Sequence, residues 1–545
     1  MVVADVGTER NEDCEEDYGY KKDFHTALPQ FLAVSVKNII LLGYGMTLGF
    51  PTILIPAVSQ PAQGEVLHLQ TYEIAWISSI NLIVVPLGCA LSGVVTSPLG
   101  RIRAMQVVNI PFAIAWLMFH FSTISGHLYG ALILTGLAGG LLEAPVLTYV
   151  AEVTQPHLRG ALSATSSMCI IIGVFTQFLF GLFMYWRTVA LVNIIFTVLA
   201  VIALFFVPES PHWLVSRKRY DDARKSLQWL RGWTNSTAVS AELRDIQALF
   251  KDKKSEAGDM DETFTEKLSH YLKRSFLYPF FLVSSCFFIG HFSGMTTLQT
   301  YAVSIFQMLE APIDRYYATL ILGIVQIVGS SSCVLLVHYT GKRPLTLFST
   351  AGAGVCCMLV AAYDGYITTH NVTVDPTGDS NINGTLMDAD LTKSLISGYS
   401  WIPTTLLLLL AFITHLGIRL LPWILIGEVF SARTRSGGAG LASAVGYIFG
   451  FLTNRMYIAL LDTISVWGTY GLYGVVCIAG SILLYFILPE TEGKELGDIQ
   501  THFAGGRKLT NKVYKPKTRK TNEVSMGTEI KGTSNPTFEG DDCRM

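Results

Sequence analysis

Apolar runs long enough to cross a bilayer alternate along this chain with short polar connectors. One crossing takes about 20 mostly apolar residues. Twelve runs meet that measure, over approximately 31–56, 73–96, 104–124, 127–151, 162–184, 188–207, 275–307, 315–338, 344–366, 400–427, 437–460 and 467–488. A long polar stretch separates the sixth from the seventh, and within it SPHWLVSRKRYDDARKSLQWLRGW has helical spacing. The pattern predicts an all-α membrane protein: twelve transmembrane helices in two six-helix halves, joined by a cytoplasmic helical loop. The divisions are a tail at 1–30, a first half at 31–207, a linker at 208–274, a second half at 275–488 and a tail at 489–545. Both tails are polar, which argues against a packed core in either.

Composition agrees. Half of the 545 residues are hydrophobic and only 15% are charged, against about a quarter in ordinary soluble chains. A net charge of −2 selects no partner class. Lys and Arg in the connectors set the orientation. Arg101, Arg103, Arg159, Lys342, Arg343, Arg433 and Arg435 fall on one side with the basic linker, and Arg187, Arg315 and Lys393 on the other. The first side is expected to be cytoplasmic and to hold both termini. No apolar run occurs in the first 25 residues, so no cleaved signal peptide is expected. The outer loop 367–399 carries two glycosylation sequons, at Asn371 and Asn383. Seven of the nine cysteines fall in predicted spans, so no disulfide framework is expected. The chain shows no nucleotide loop, metal-ligand cluster or nucleophile motif. An enzyme, a cofactor, a metal site and a nucleic-acid partner are therefore not expected.

The two halves echo each other. Glu152 is followed seven residues later by Arg159, and Glu428 by Arg435. Gly100-Arg101 is matched by Gly341-Lys342-Arg343, and the PESP containing Glu209 by the PETE containing Glu490. Matching motifs at matching helix ends indicate a parallel repeat, the plan of carriers whose site lies between halves. Arg and Glu at such ends can form charge-assisted hydrogen bonds. These residues are the expected cytoplasmic gate, with Arg159 and Arg435 pairing to acids of the opposite E-x6-R set or of PESP and PETE.

Together YVAEVTQPHLRG, PESPHWL, GEVF and PETEGK resemble the sugar porter branch of the major facilitator superfamily, over about residues 30–500. GGLLEAPVLTYVAEV and LQWLRGW resemble the insect trehalose-transporter-like members. The resemblance implies the major facilitator fold, and alternating-access carriage of a sugar-like solute of the trehalose or hexose class. It also implies a multi-pass plasma-membrane location and function as a monomer in the lipid bilayer. Two other readings stand beside it: a proton-coupled symporter, and a transport-deficient sugar sensor. In proton-linked members an acid occupies the first helix where this chain has Gly45, which favours facilitation. The loop after the second span departs from the family, reading Ser97-Pro98-Leu99-Gly100-Arg101, and His338 replaces an acid in the repeat. The gate is therefore expected to rest more on Glu152, Arg159, Glu428 and Arg435.

The resemblance also implies the solute contacts. Gln177 stands for the fifth-helix glutamine and Trp423 for the tenth-helix tryptophan. On the seventh helix Ser293, Gly294 and Tyr301 keep the register, but the family's glutamines and asparagine are replaced. His291, Thr296 and Gln299 are the remaining hydrogen-bonding candidates there, and Tyr447 takes the place of the eleventh-helix tryptophan. On the tenth helix His415, Arg419 and Trp423 are spaced four apart, on one face. A cation deep in a span marks a functional site by default. Glu143, inside the fourth span, is the expected partner of Arg419. Replacing both Asn371 and Asn383 by Gln should raise gel mobility to that of enzymatically deglycosylated protein. A glycan on Asn235 would reverse the orientation.

Overall fold

The computed structural model describes residues 24–61, 65, 67–258, 269–371, 400–431, 434–494, 496–506 and 509. Their regular structure is helical. Eleven stretches are long and apolar enough to cross a membrane, against the twelve expected. The difference lies in the eleventh and twelfth spans, which run without an intervening loop as one helix, Arg435–Ile487. The apolar part, Gly437–Ile487, has 51 residues. Straight, it would be about 77 Å long at 1.5 Å per residue, more than twice a bilayer's hydrocarbon thickness. It turns at Ser465, whose φ of 60° leaves the helical region. The twelve crossings are thus retained.

Several spans are broken where the chain must bend. The seventh divides into Arg274–His291 and Met295–Met308 around Gly294, at a left-handed φ of 81°. The tenth divides into Trp401–Leu416 and Leu421–Val429. Although the sequence lacks the family's Gly-Pro run there, the break persists. Ser349 of the ninth span replaces the lost helical bonds: its hydroxyl donates to Ile413 O (2.7 Å) and accepts from Ile418 N (3.0 Å). Backbone freed inside a bilayer needs such a partner.

Within each half, small residues let helices touch. A Cβ on Gly45 would lie 2.1 Å from Ile170 O, and one on Gly173 2.2 Å from Leu42 O, so the first and fifth spans meet backbone to backbone. The linker helices Pro211–Ser216, Tyr220–Leu230 and Ser240–Gly258 share a small core of Trp213, Leu214, Leu227, Leu243 and Ile246. They dock on the first half: Trp213 Nε1 donates to Ser97 O (2.9 Å) and Arg231 Nη1 to Val153 O (3.2 Å). Asn371 ends the ninth-span helix Lys342–Asn371, at the end opposite the linker. Asn383 lies outside the described residues.

The halves meet along the first, second and fifth spans on one side and the seventh, eighth and eleventh on the other. A polar network joins them at the end far from the linker. Tyr301 donates to Ser78 Oγ (2.6 Å), and Asn454 Nδ2 donates to Ser78 O (2.9 Å) and to Thr300 Oγ1 (3.1 Å). Thr52 donates to Gln299 O (2.7 Å), and Arg455 lies 4.9 Å over the Trp76 ring. Each such bond contributes about 1 kcal/mol. Asn454→Ala should therefore shift the balance about fivefold or more toward opening at that end. A Val58→Cys reporter, fully buried there, should then be labelled faster by an impermeant thiol reagent. Unchanged labelling would show that the network does not hold this end shut.

Candidate solute site and gates

At the linker end the repeat becomes geometry. Gly100 and Gly341 adopt left-handed φ values of 92° and 90°. Each launches a helix whose first amides have no partner within it. Glu209 accepts from Arg101 N (2.9 Å) and Ile102 N (3.0 Å); Glu490 accepts from Lys342 N and Arg343 N, both at 3.1 Å. A Cβ at Gly100 would sit 2.5 Å from the Glu209 carboxylate, so the turn requires glycine. Burial pushes the Glu209 carboxyl above its usual range despite those amides and Arg101.

The side chains of the same helix starts hold the second pair of acids. Arg101 meets Glu152 at 2.6 Å, and Lys342 meets Glu428 at 2.5 Å. The Ser210 hydroxyl also donates to Glu152, and Thr491 to Glu428 (2.9 Å). Glu492 takes a further bond from Lys342 (2.9 Å) and one from His338 Nδ1 (2.8 Å). Burial opposes its charge, yet these two partners hold its carboxyl below the usual range. All of these bonds close within one half. The sequence pattern expects Arg159 and Arg435 to take acids of these sets; in the structure Arg101 takes Glu152 and Lys342 takes Glu428, and the Arg435 side chain lies outside what is described. Arg159 is exposed, 3.4 Å from Thr154 O, and Arg343 reaches Tyr485 O (2.7 Å). The loop residues that looked depleted are the ones that do the clamping.

At mid-membrane, Arg419 follows the tenth-span break and extends to the start of Met295–Met308, where Nη1 donates to Thr296 Oγ1 (2.9 Å). Thr296 Oγ1 also lies 3.1 Å from His291 Nδ1. His415 bonds back to Ala411 O (2.9 Å) through Nδ1; because a carbonyl only accepts, that nitrogen carries the proton. The rings of Phe287 and Tyr447 flank Trp423, at 5.0 and 5.8 Å. Tyr447 faces Tyr44 of the first half, so this aromatic group stands at the interface. Trp423 keeps 38% of its surface exposed.

The Glu143–Arg419 ion pair is not formed in this structure. Glu143 opens the Glu143–Val153 helix, with Tyr44, Cys89 and Tyr447 as its electrostatic neighbours. Gln177 is fully buried, and its amide exchanges two hydrogen bonds with Asn193 of the sixth span, at 3.0 and 3.2 Å. Gln299 is half-buried and offers its carbonyl to Thr52. Sequence reasoning passed over Asn193, Tyr44 and Lys37. Lys37 is fully buried in the first span and donates to Ser166 Oγ (2.5 Å). Each is a polar residue inside an apolar run, a signal the sequence carries.

The model of a family described as "Sugar (and other) transporter" matches residues 12–503. The chain belongs to this family. It is 24% identical over 521 residues to the facilitated trehalose transporter Tret1 of Bombyx mori, covering 94% of this chain and 95% of that protein. It is 25% identical over 489 residues to Tret1 of Apis mellifera ligustica, covering 88% and 89%. Among solved structures it resembles the xylose transporter XylE from E. coli in a partially occluded inward open conformation. The TM-score is 0.64 at 17% identity, covering 86% of this chain and 99% of XylE. In the inward open conformation of XylE the TM-score is 0.63 at 18% identity, covering 86% and 98%. These likenesses show the fold. This sugar-transporter family member therefore has the major facilitator architecture.

The Gln177–Asn193 exchange makes a specific prediction. Leaving a buried amide unpaired costs about 1–3 kcal/mol. Gln177→Leu and Asn193→Leu should each lower thermal stability in detergent, and the double variant should lose less than the sum. Additive losses would show that Gln177 is not held by Asn193.

Proposed function

We propose that this chain is a facilitative carrier of a sugar-like solute, working as a monomer by alternating access. It resides in the plasma membrane with both termini and the linker cytoplasmic. The observation that carries this reading is the uneven distribution of polar bonds across the interface. Among the described residues, those joining the halves lie toward the end far from the linker, apart from the Tyr44–Tyr447 contact at mid-membrane, while the acid–base clusters at the linker end each close within one half. Among the described residues the interface is thus held together at the outer end. To invert it, the outer bonds must break and the inner surfaces must meet, which is the movement a carrier makes. Both halves of the site come from one chain.

Passive carriage is favoured over proton symport by Gly45. It has no room for a Cβ beside Ile170, so the first span offers no place for an acid at that point. The relatives named facilitated trehalose transporters agree. Purified protein in liposomes should take up labelled trehalose or glucose saturably, to equilibrium and no further, with or without a pH gradient. Accumulation driven by an inward proton gradient would replace this reading with symport. Absence of uptake for the whole sugar panel, from protein that still melts cooperatively, would favour a sensor.

A further inference from the structure

Among the described residues, no acid neutralises Arg419. Among the described residues its guanidinium makes one side-chain hydrogen bond, to neutral Thr296, and no acid faces it. A guanidinium has five N–H donors, so most are unspent. None of its nitrogens is among the buried atoms sealed without a partner, and the residue is partly exposed. The remaining donors therefore face accessible space.

The surroundings add positive potential. Thr296 is the second residue of Met295–Met308, so the charge sits at the positive end of a helix dipole, where a cation is disfavoured and an anion favoured. The carbonyl end of Trp401–Leu416 offers some opposing negative potential, though part of it is engaged. Ile413 O is taken by Ser349, and Thr414 O by the amides of Gly417 and Arg419. His291 and His415 are the nearest titratable groups on the seventh and tenth spans. Glu143 of the first half has Tyr44, Cys89 and Tyr447 around it instead. The link to the aromatic group runs through His291, which shares Thr296 Oγ1 with Arg419 and stacks on Phe287; Phe287, Trp423 and Tyr447 offer faces of the kind that cover the C–H surface of a sugar ring.

We propose that the solute is a sugar or polyol bearing a carboxylate, and that Arg419 binds that carboxylate through its unspent N–H donors. The inference rests on the carrier reading above and specifies its substrate class. One fixed guanidinium matches a single carboxylate in charge and in its paired donors. The helix end beside Thr296 adds to the attraction, and the aromatic group receives the ring.

The test compares glucuronate with glucose, which share a ring and differ at one carbon, in liposomes clamped at zero membrane potential. Wild-type protein should take up glucuronate at least tenfold faster than glucose at equal low concentration. Arg419→Gln should bring that ratio to about one or below, and Arg419→Lys should retain part of it, keeping the charge but not the paired donors. A wild-type ratio at or below one overturns the inference and leaves the carrier reading intact, and needs no variant to fold. A ratio unmoved by Arg419→Gln also overturns it. Recovery of glucose uptake in an Arg419→Gln/Glu143→Gln double variant, after loss in the single one, would make Glu143 the true counter-charge. No saturable uptake of either sugar overturns the carrier reading and the inference together.

Discussion

The structure depends on two carboxylates, Glu490 buried and Glu209 half-buried, placed over the amide ends of two helices. Glu209 and Glu490 cap the third and ninth spans at the glycine turns of Gly100 and Gly341. Without them the first amides of each helix would lie unpaired at the membrane edge, at a cost of about 1–3 kcal/mol per group. With them, the end of the sixth span is tied to the second–third turn, and the end of the twelfth to the eighth–ninth turn. Arg101 and Lys342 extend each tie to Glu152 and Glu428 on the fourth and tenth spans. Each half is thus closed on itself, and the softest surface left is the one between halves.

That division explains how local bonds produce a transport movement. A rigid half can rock only if its inner acids are already satisfied without the other half. The outer contacts, by contrast, are few and largely neutral: hydroxyls, one amide and one cation over a ring. Neutral hydrogen bonds can exchange with water at small net cost, so the seal can open on thermal energy. The same logic isolates Arg419. Among the described residues its half supplies a hydroxyl but no acid, which is the place the proposed carboxylate solute would fill.

Much of this was legible in the sequence. Hydropathy marks the twelve crossings, and the paired motifs mark the repeat, because both are local patterns. The joining of the last two spans was not legible, since Ser465 turns the chain without the glycine or proline that usually marks a turn. The gate residues were found, but not all of their partners. Arg159 stands out by its E-x6-R spacing, yet it is Arg101 that meets Glu152, from another helix, a contact that sequence separation hides. Gln177 reads as a solute contact from its motif position alone. Only the placement of Asn193 opposite it, sixteen residues on, shows its amide already engaged.

The central claim is that two internally clamped halves move as rigid bodies about a weak outer seal. Distances between paired spin labels test it most directly, two pairs across the halves, Arg217 and Tyr220 each against Tyr339, and one within the second half, Tyr339 against Phe486. All four positions are exposed. On trapping the carrier open to the outside, the account predicts that distances across the halves shorten at the linker end while the distance within the half stays fixed. A change within the half as large as the change across would contradict it.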